Sequence, residues 1–253
     1  MIDPLTQPGN YLYPMLTTRG IVLKVVKYGE TSIICDIYTE EVGLQSYIIN
    51  GVRKKNAKYP ASLFQPMYLV EIEAYDNPRK ELNRIKEIKA EVPYSSIPFD
   101  IKKSSIGTFA LEILRKSIRE RETHQALFDF IHSFFLYLDG AETEYLNSHL
   151  WFTIHLTGFT GFLPSGECNA KTPYFDIEKG EFVSFRSTHL QLEDWASADI
   201  FAFINLELEN NSQVQLNSKT RNRIIEHLIK YYQYHIDGMQ QINSHQVLAQ
   251  VFG

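Results

Sequence analysis

"RGIVLKVVKYGETSIICDIYTEEVGLQSYIIN", residues 19–50, reads as three strands joined by two tight turns. Residues 19–28 are rich in β-branched side chains, and Ile21, Leu23 and Val25 share one face of an extended chain. Tyr28-Gly29-Glu30 is a turn. In residues 31–39, Ile33, Cys35 and Ile37 alternate with Ser32, Ile34, Asp36 and Tyr38. Residues 40–43, EEVG, turn the chain again. Residues 44–50 then set Leu44, Ser46 and Ile48 against Gln45, Tyr47 and Ile49.

Working outward, residues 66–75 give a fourth strand, in which Tyr68, Val70, Ile72 and Ala74 alternate with Met67, Leu69, Glu71 and Glu73. DNPRKE, residues 76–81, is a turn. Residues 82–92 are ambiguous. The Ile85/Ile88 spacing suits a helix, but one extra unpaired residue would restore strand alternation. Five short strands of this length fit a small closed barrel, and the five-stranded OB-fold β-barrel matches best in size.

The second half has helical periodicity, so the chain reads as α+β and multidomain. Ile106, Phe109, Ala110, Ile113 and Ile118 recur at three-to-four spacing. Thr123 is placed to cap a helix carrying Leu127, Phe130, Ile131, Phe134 and Leu138. Further helices are expected over 142–157, from Ser197, from Ser218 and from Ser244. Residues 158–186 interrupt them with a Gly/Pro-rich loop and a hairpin, YFDIEKGEFVSF. The expected organisation is a flexible leader over 1–14, a barrel domain over 15–92 and a mostly α-helical domain over 93–253.

No apolar run approaches the roughly 18 residues of a membrane span. The first residues lack the basic and apolar regions of a secretory signal. Two cysteines, Cys35 and Cys168, make neither a disulfide framework nor a four-thiolate site, and a reducing cytoplasm is the simplest reading. The net charge of −5 hides an asymmetry. Residues 15–89 carry 12 Lys/Arg against 9 Asp/Glu, whereas residues 90–253 carry 13 against 20.

Phosphate-binding glycine loops, nucleophile elbows and zinc-protease helices are absent from the sequence. The eight histidines have no tight metal-ligand spacing. No catalytic constellation, cofactor site or metal site is read, and the chain is not expected to be an enzyme. What remains is GVRKKNAKYP, residues 51–60, with four cations and no acid. Barrels of this size bind nucleic acid by neutralising phosphates with Lys and Arg and by stacking bases on aromatic faces. Arg53, Lys54, Lys55 and Lys58 are the first candidates for phosphate contact. Lys24, Lys27 and Arg19 extend the patch if the first strand runs beside it. Tyr28, Tyr38, Tyr47 and Tyr59 are stacking candidates, the alternative for each being a strand residue packed in the core. A second basic group, Arg115, Lys116, Arg119 and Arg121, is interleaved with Glu112, Glu120 and Glu122. It is either a self-paired helix surface or a receptor for an acidic peptide.

The GIVL strand, the YGETS turn, the strand ending in YTEEVG and the strand running into a Gly-x-Arg basic loop resemble the N-terminal domain of the RecO family. LFQPMYLVEIE, GFLP and the terminal SHQVLAQVF fit the same family. The resemblance implies an OB-fold domain followed by a helical domain. It also implies binding of single- and double-stranded DNA, strand annealing and recombination mediation in DNA repair. Implied partners are RecR, the acidic C-terminal tail of single-strand-binding protein and, indirectly, RecA. On this basis Arg53, Lys54, Lys55 and Lys58 occupy the basic loop, and Arg115, Lys116 and Arg119 become tail contacts. Many members of the family carry a four-cysteine zinc module after GF-x-P. Here that segment holds Cys168 alone, and packing of Tyr174, Phe175, Phe182 and Phe185 is expected to hold the hairpin instead. Two rival readings are an RNA-binding OB-fold protein and an adaptor that binds protein only.

Overall fold

The computed structural model describes residues 15–75, 80–118, 123–186, 191–239 and 241–253. The expected leader over 1–14 and most of the turn over 76–81 lie outside them. The chain forms two compact units, Met1–Pro93 with Arg121–Phe128, and Tyr94–Glu120 with Asp129–Gly253.

In the first unit, β1 (Met15–Tyr28), β2 (Ser32–Thr39), β3 (Gly43–Ile49), β4 (Leu69–Tyr75) and β5 (Leu82–Ala90) close into a barrel of order β1-β2-β3-β5-β4. The β3–β5 pairing is parallel and the other pairings are antiparallel. Alternation drives the closure. Cys35, Ile37, Tyr47, Ile49, Val70, Ile72, Ala74 and Ile88 point inward as one core, and burial raises the Cys35 thiol to a pKa of about 12. Gly20 lets two strands approach closely, because a Cβ there would lie 2.6 Å from Ile37 Cγ2.

Two bulges adjust the alternation. On β5, Ala74 pairs with Ile85 and Glu73 with Glu87, so Lys86 is the extra residue that makes 82–90 a strand. On β1, Val22 pairs with Ile37 and Lys24 with Asp36, leaving Leu23 extra. This corrects the expected face of Ile21, Leu23 and Val25: the bulge switches parity, and Val22 joins the barrel core with Val25 packed against it.

The first turn of α2 (Gln125–Gly140) belongs to the barrel unit. Phe128 stacks on Tyr38 at 6.4 Å between ring centroids. His124, rather than the expected Thr123, caps this helix through its Nδ1, which accepts from Leu127 N–H at 3.1 Å. Thr123 instead donates to the Glu41 carbonyl at 3.0 Å.

The second unit contains α1 (Ile101–Ser117), the rest of α2, α3 (Ser148–Phe159), α4 (Asp194–Ile204), α5 (Ser218–His235) and α6 (Ser244–Phe252). Its core is aromatic: Phe134 and Phe152 lie 4.4 Å apart, and Phe130 lies 5.0 Å from Phe152. Several starts differ from the expected ones. Asp100 caps α1, accepting from Lys102 and Lys103 N–H, and Asn217 caps α5 in place of Ser218. The strands β6 (Tyr174–Asp176) and β7 (Glu181–Val183) pair antiparallel. Phe175 lies 5.2 Å from both Phe182 and Tyr231, and Phe182 packs on Phe201. Phe185 is 69% exposed, so it takes no part in that packing. Among the described residues, no helix is long and apolar enough to cross a membrane.

Candidate nucleic-acid interface

The basic loop begins where β3 leaves the barrel. Gly51 has φ +75°, a left-handed conformation that lets the chain reverse, and Lys54 N–H closes the turn on the Gly51 carbonyl at 3.1 Å. Val52 is buried in the barrel core and anchors this end. Arg53 N–H donates to the Thr31 carbonyl at 3.1 Å, and its guanidinium lies 3.5 Å from the Gly29 carbonyl. The loop therefore rests on the β1–β2 turn.

The far end of the loop is held by the β5 bulge. Lys86 is the unpaired residue of that strand, and its carbonyl accepts from the Tyr59 hydroxyl at 2.6 Å and from Lys58 Nζ at 3.1 Å. Glu87 completes the tie, 2.8 Å from Lys58 Nζ and 3.0 Å from the Tyr59 hydroxyl. Lys58 Nζ also stands 4.7 Å from the centre of the Tyr59 ring. The hydrogen bond with Glu87 raises the Lys58 pKa, and the hydrogen bonds from Lys58 and Tyr59 lower that of Glu87.

The sequence candidates therefore divide. Arg53, Lys54 and Lys55 are exposed on the anchored loop. Lys27 and Tyr28 are exposed at the end of β1, next to the turn on which Arg53 rests, and Glu30 on that turn subtracts one charge from the cluster. Lys24 is exposed on the outward face of β1. Lys58 and Tyr59 face β5 and fix the loop.

Arg19 does not extend the patch. It lies toward the opposite end of β1, paired with Glu40 at 2.6 Å and near Glu91 at 3.7 Å, with its guanidinium 5.2 Å from the Phe128 ring. Tyr38 and Tyr47 are 1% and 2% exposed, so core packing removes both as stacking candidates. The barrel thus carries its basic cluster at the β1–β2 turn and carboxylates Glu40, Glu41 and Glu91 at the other end.

Register reveals residues that the sequence reading did not single out. Val26 pairs with Ile34, Ile34 with Ile48, and Ile48 with Arg84. All four point away from the barrel core, and Val26 is 44% exposed. The signal was present in SIICDIYT and LQSYII, where both parities are apolar although one alone can face the core.

In the helical unit, Arg115 is exposed in the last turn of α1. Lys116 is engaged internally, 2.6 Å from Glu112 and bonded to the Gln241 carbonyl. Arg119 and Arg121 lie outside the described residues. The segment after GFLP does not suit a four-thiolate metal site. Cys168 is its one thiol, and Cys35 is enclosed in the barrel. Asn169 organises this segment instead: its side-chain oxygen accepts from Lys171 N–H at 2.8 Å and Thr172 N–H at 3.3 Å, and the Thr172 hydroxyl donates to the Glu167 carbonyl at 2.6 Å.

A closed five-stranded barrel followed by a helical region defines this as an OB-fold protein with a helical C-terminal part. Residues 15–94 match the family model for the recombination protein O N terminus, and residues 98–243 match that for its C terminus. The DNA repair protein RecO of Flavobacterium psychrophilum is 34% identical over 239 residues, covering 94% of this chain and 99% of the relative. That of Bacteroides fragilis is 34% identical over 239 residues, covering 93% and 98%, and that of Porphyromonas gingivalis 25% over 243 residues, covering 94% and 99%. The chain belongs to the RecO family of DNA repair proteins.

Proposed function

We propose that this chain is a recombination mediator that binds single- and double-stranded DNA and anneals complementary single strands. The observation that carries the reading is the basic loop, tied at one end to the β1–β2 turn and at the other to the β5 bulge, so that Arg53, Lys54 and Lys55 face solvent from a fixed frame. Phosphates repel one another, and cations that neutralise two strands together lower the barrier to pairing them. Lys27 adds charge beside the loop, Lys24 lies farther along β1 in register with Asp36, and Tyr28 supplies a stacking face. Binding the acidic tail of single-strand-binding protein brings the mediator to coated DNA, and RecR and RecA act downstream. These partner assignments rest on family membership, with Arg115 kept as a tail contact and Lys116 assigned to internal support.

The test is fluorescence anisotropy of a labelled single-stranded oligonucleotide across a salt series. Three phosphate contacts from the loop contribute about −2 to the slope of log affinity against log salt, and a fourth from Lys58 would bring this to about −3. Arg53→Ala, Lys54→Ala and Lys55→Ala together are expected to remove this contribution with folding intact by circular dichroism. Equal affinity and slope in wild type and variant would place DNA elsewhere on the protein. Loss of annealing with retained DNA binding in this variant would tie the loop to the annealing step and place binding elsewhere.

A further inference from the structure

We propose that Glu87 is a displaceable stand-in for phosphate: it occupies Lys58 until a strand phosphate takes its place, and so limits how tightly the basic loop holds DNA. The inference rests on the reading of that loop as the DNA site. On the outer face of β4 and β5, two carboxylates answer lysines of the sheet itself, Glu71 with Lys89 at 2.8 Å and Glu73 with Lys86 at 3.2 Å. Glu87 instead reaches across to the loop. Its two oxygens meet two consecutive loop residues, one 2.8 Å from Lys58 Nζ and the other 3.0 Å from the Tyr59 hydroxyl. A phosphodiester presents the same chemistry to a cation, one negative charge shared by two oxygens.

The pair can exchange without disturbing the loop. Both side chains stand in solvent, Lys58 62% exposed and Glu87 52%, and an ion pair so exposed costs little to break. The lysine ammonium is a point charge on a flexible four-carbon stem, so it turns from one anion to another with the backbone still. The frame outlasts the exchange, because Tyr59 keeps the Lys86 carbonyl at 2.6 Å while Val52 and the Arg53–Thr31 hydrogen bond hold the other end. The sign of the effect follows from charge. Once Lys58 turns to a phosphate, Glu87 is left bare beside a polyanion. It repels the strand and gathers a cation from solution, which offsets the counterion release that the new contact brings. When the strand leaves, Glu87 recaptures Lys58 and hastens release. Removing the carboxylate therefore tightens binding, whereas loosening a loop tie would weaken it.

The test is a double-mutant cycle in the full chain, with Glu87→Gln, Lys58→Met and both together, folding being checked by circular dichroism. Anisotropy of a labelled single-stranded oligonucleotide is read across a salt series. Glu87→Gln is expected to bind roughly three- to tenfold more tightly, with a salt slope steeper by about 0.7 and a slower dissociation rate. In the Lys58→Met background the same change is expected to give at most about a twofold gain and no change of slope, because only the general field of one carboxylate is removed. Glu73→Gln removes a paired carboxylate from the same sheet face without freeing a loop cation, and at most about a twofold gain is expected from it as well. Unchanged or weaker binding by folded Glu87→Gln would overturn the proposal. So would an equal gain with and without Lys58, or an equal gain from Glu73→Gln. A Glu87 variant that binds like wild type, beside an Arg53, Lys54 and Lys55 variant that loses the salt slope, removes this inference and leaves the proposed function standing. If the loop variant binds like wild type, the proposed function itself falls.

Discussion

At Glu112 four donors converge on one carboxylate: Lys116 Nζ at 2.6 Å, the Ser244 hydroxyl at 2.5 Å, Ser244 N–H at 2.8 Å and Asn243 N–H at 3.1 Å. A side chain of α1 thereby satisfies N–H groups at the start of α6 that the helix leaves unpaired. Burial opposes the charge, yet the hydrogen bonds from Lys116, Ser244 and Asn243 outweigh it and hold the pKa at about 2, against an ordinary 4.5. A lowered carboxyl pKa stabilises the fold fully above pH 4.5 and loses that contribution as pH falls towards 2. Glu112→Gln is expected to cost on the order of 2–3 kcal/mol at pH 7 and much less near pH 2. Urea titrations at both pH values check this, and an equal loss at each would show that charge is irrelevant there. Gly20 sets a steric limit. With the Cβ of Gly20→Ala 2.6 Å from Ile37 Cγ2, either the side chain or the strand must move, and a loss of about 1–3 kcal/mol in urea unfolding is expected.

At the scale of elements, the β5 bulge makes the sharpest prediction. Deleting Lys86 leaves Ile85, Glu87 and Ile88 in plain in-out-in alternation against Ala74, Glu73 and Ile72, and removes the carbonyl that holds Tyr59 and Lys58. The deletion is expected to keep a cooperative barrel melt, followed by circular dichroism, with a loss of about 1–2 kcal/mol from the severed loop tie. Lys86→Ala keeps the bulge and loses an exposed ion pair with Glu73, so a change within about 0.5 kcal/mol is expected. The strands were legible because period-two alternation and Gly-containing turns report directly on one-sided burial. Both bulges were harder to read, since an extra residue gives no compositional sign; for 82–92 it left a choice between helix and strand. Helix starts were misplaced wherever a second candidate stood nearby: Asn217 beside Ser218, and His124 beside Thr123. For the site, the basic loop was legible as composition, but its internal division was not. That Lys58 spends its charge on Glu87 depends on contacts between residues 29 positions apart. The outward row depends on the registers of three strand pairs.

For the molecule as a whole, no metal is expected to contribute to stability. Asn169 and Thr172 close by hydrogen bonds the segment after GFLP, which holds the single thiol of Cys168. Treatment with a strong chelator is expected to leave the thermal unfolding curve unchanged, and Cys168→Ser is expected to fall within about 0.5 kcal/mol of wild type. A chelator-induced drop in melting temperature would contradict this. The charge of the barrel has a further consequence. Arg53, Lys54, Lys55 and Lys27, less Glu30, occupy one end, and Glu40, Glu41 and Glu91, less Arg19, the other. Such a barrel is a permanent electric dipole, and in the field of a polyanion it experiences a torque before contact. Approach is then rotationally guided, loop first, within a Debye length of about 8 Å at physiological salt. The gain falls on the rate of productive encounter more than on residence time. On the proposed reading of the loop as the DNA site, a protein of net charge −5, repelled by DNA as a point charge, is drawn in by the end that carries the cations.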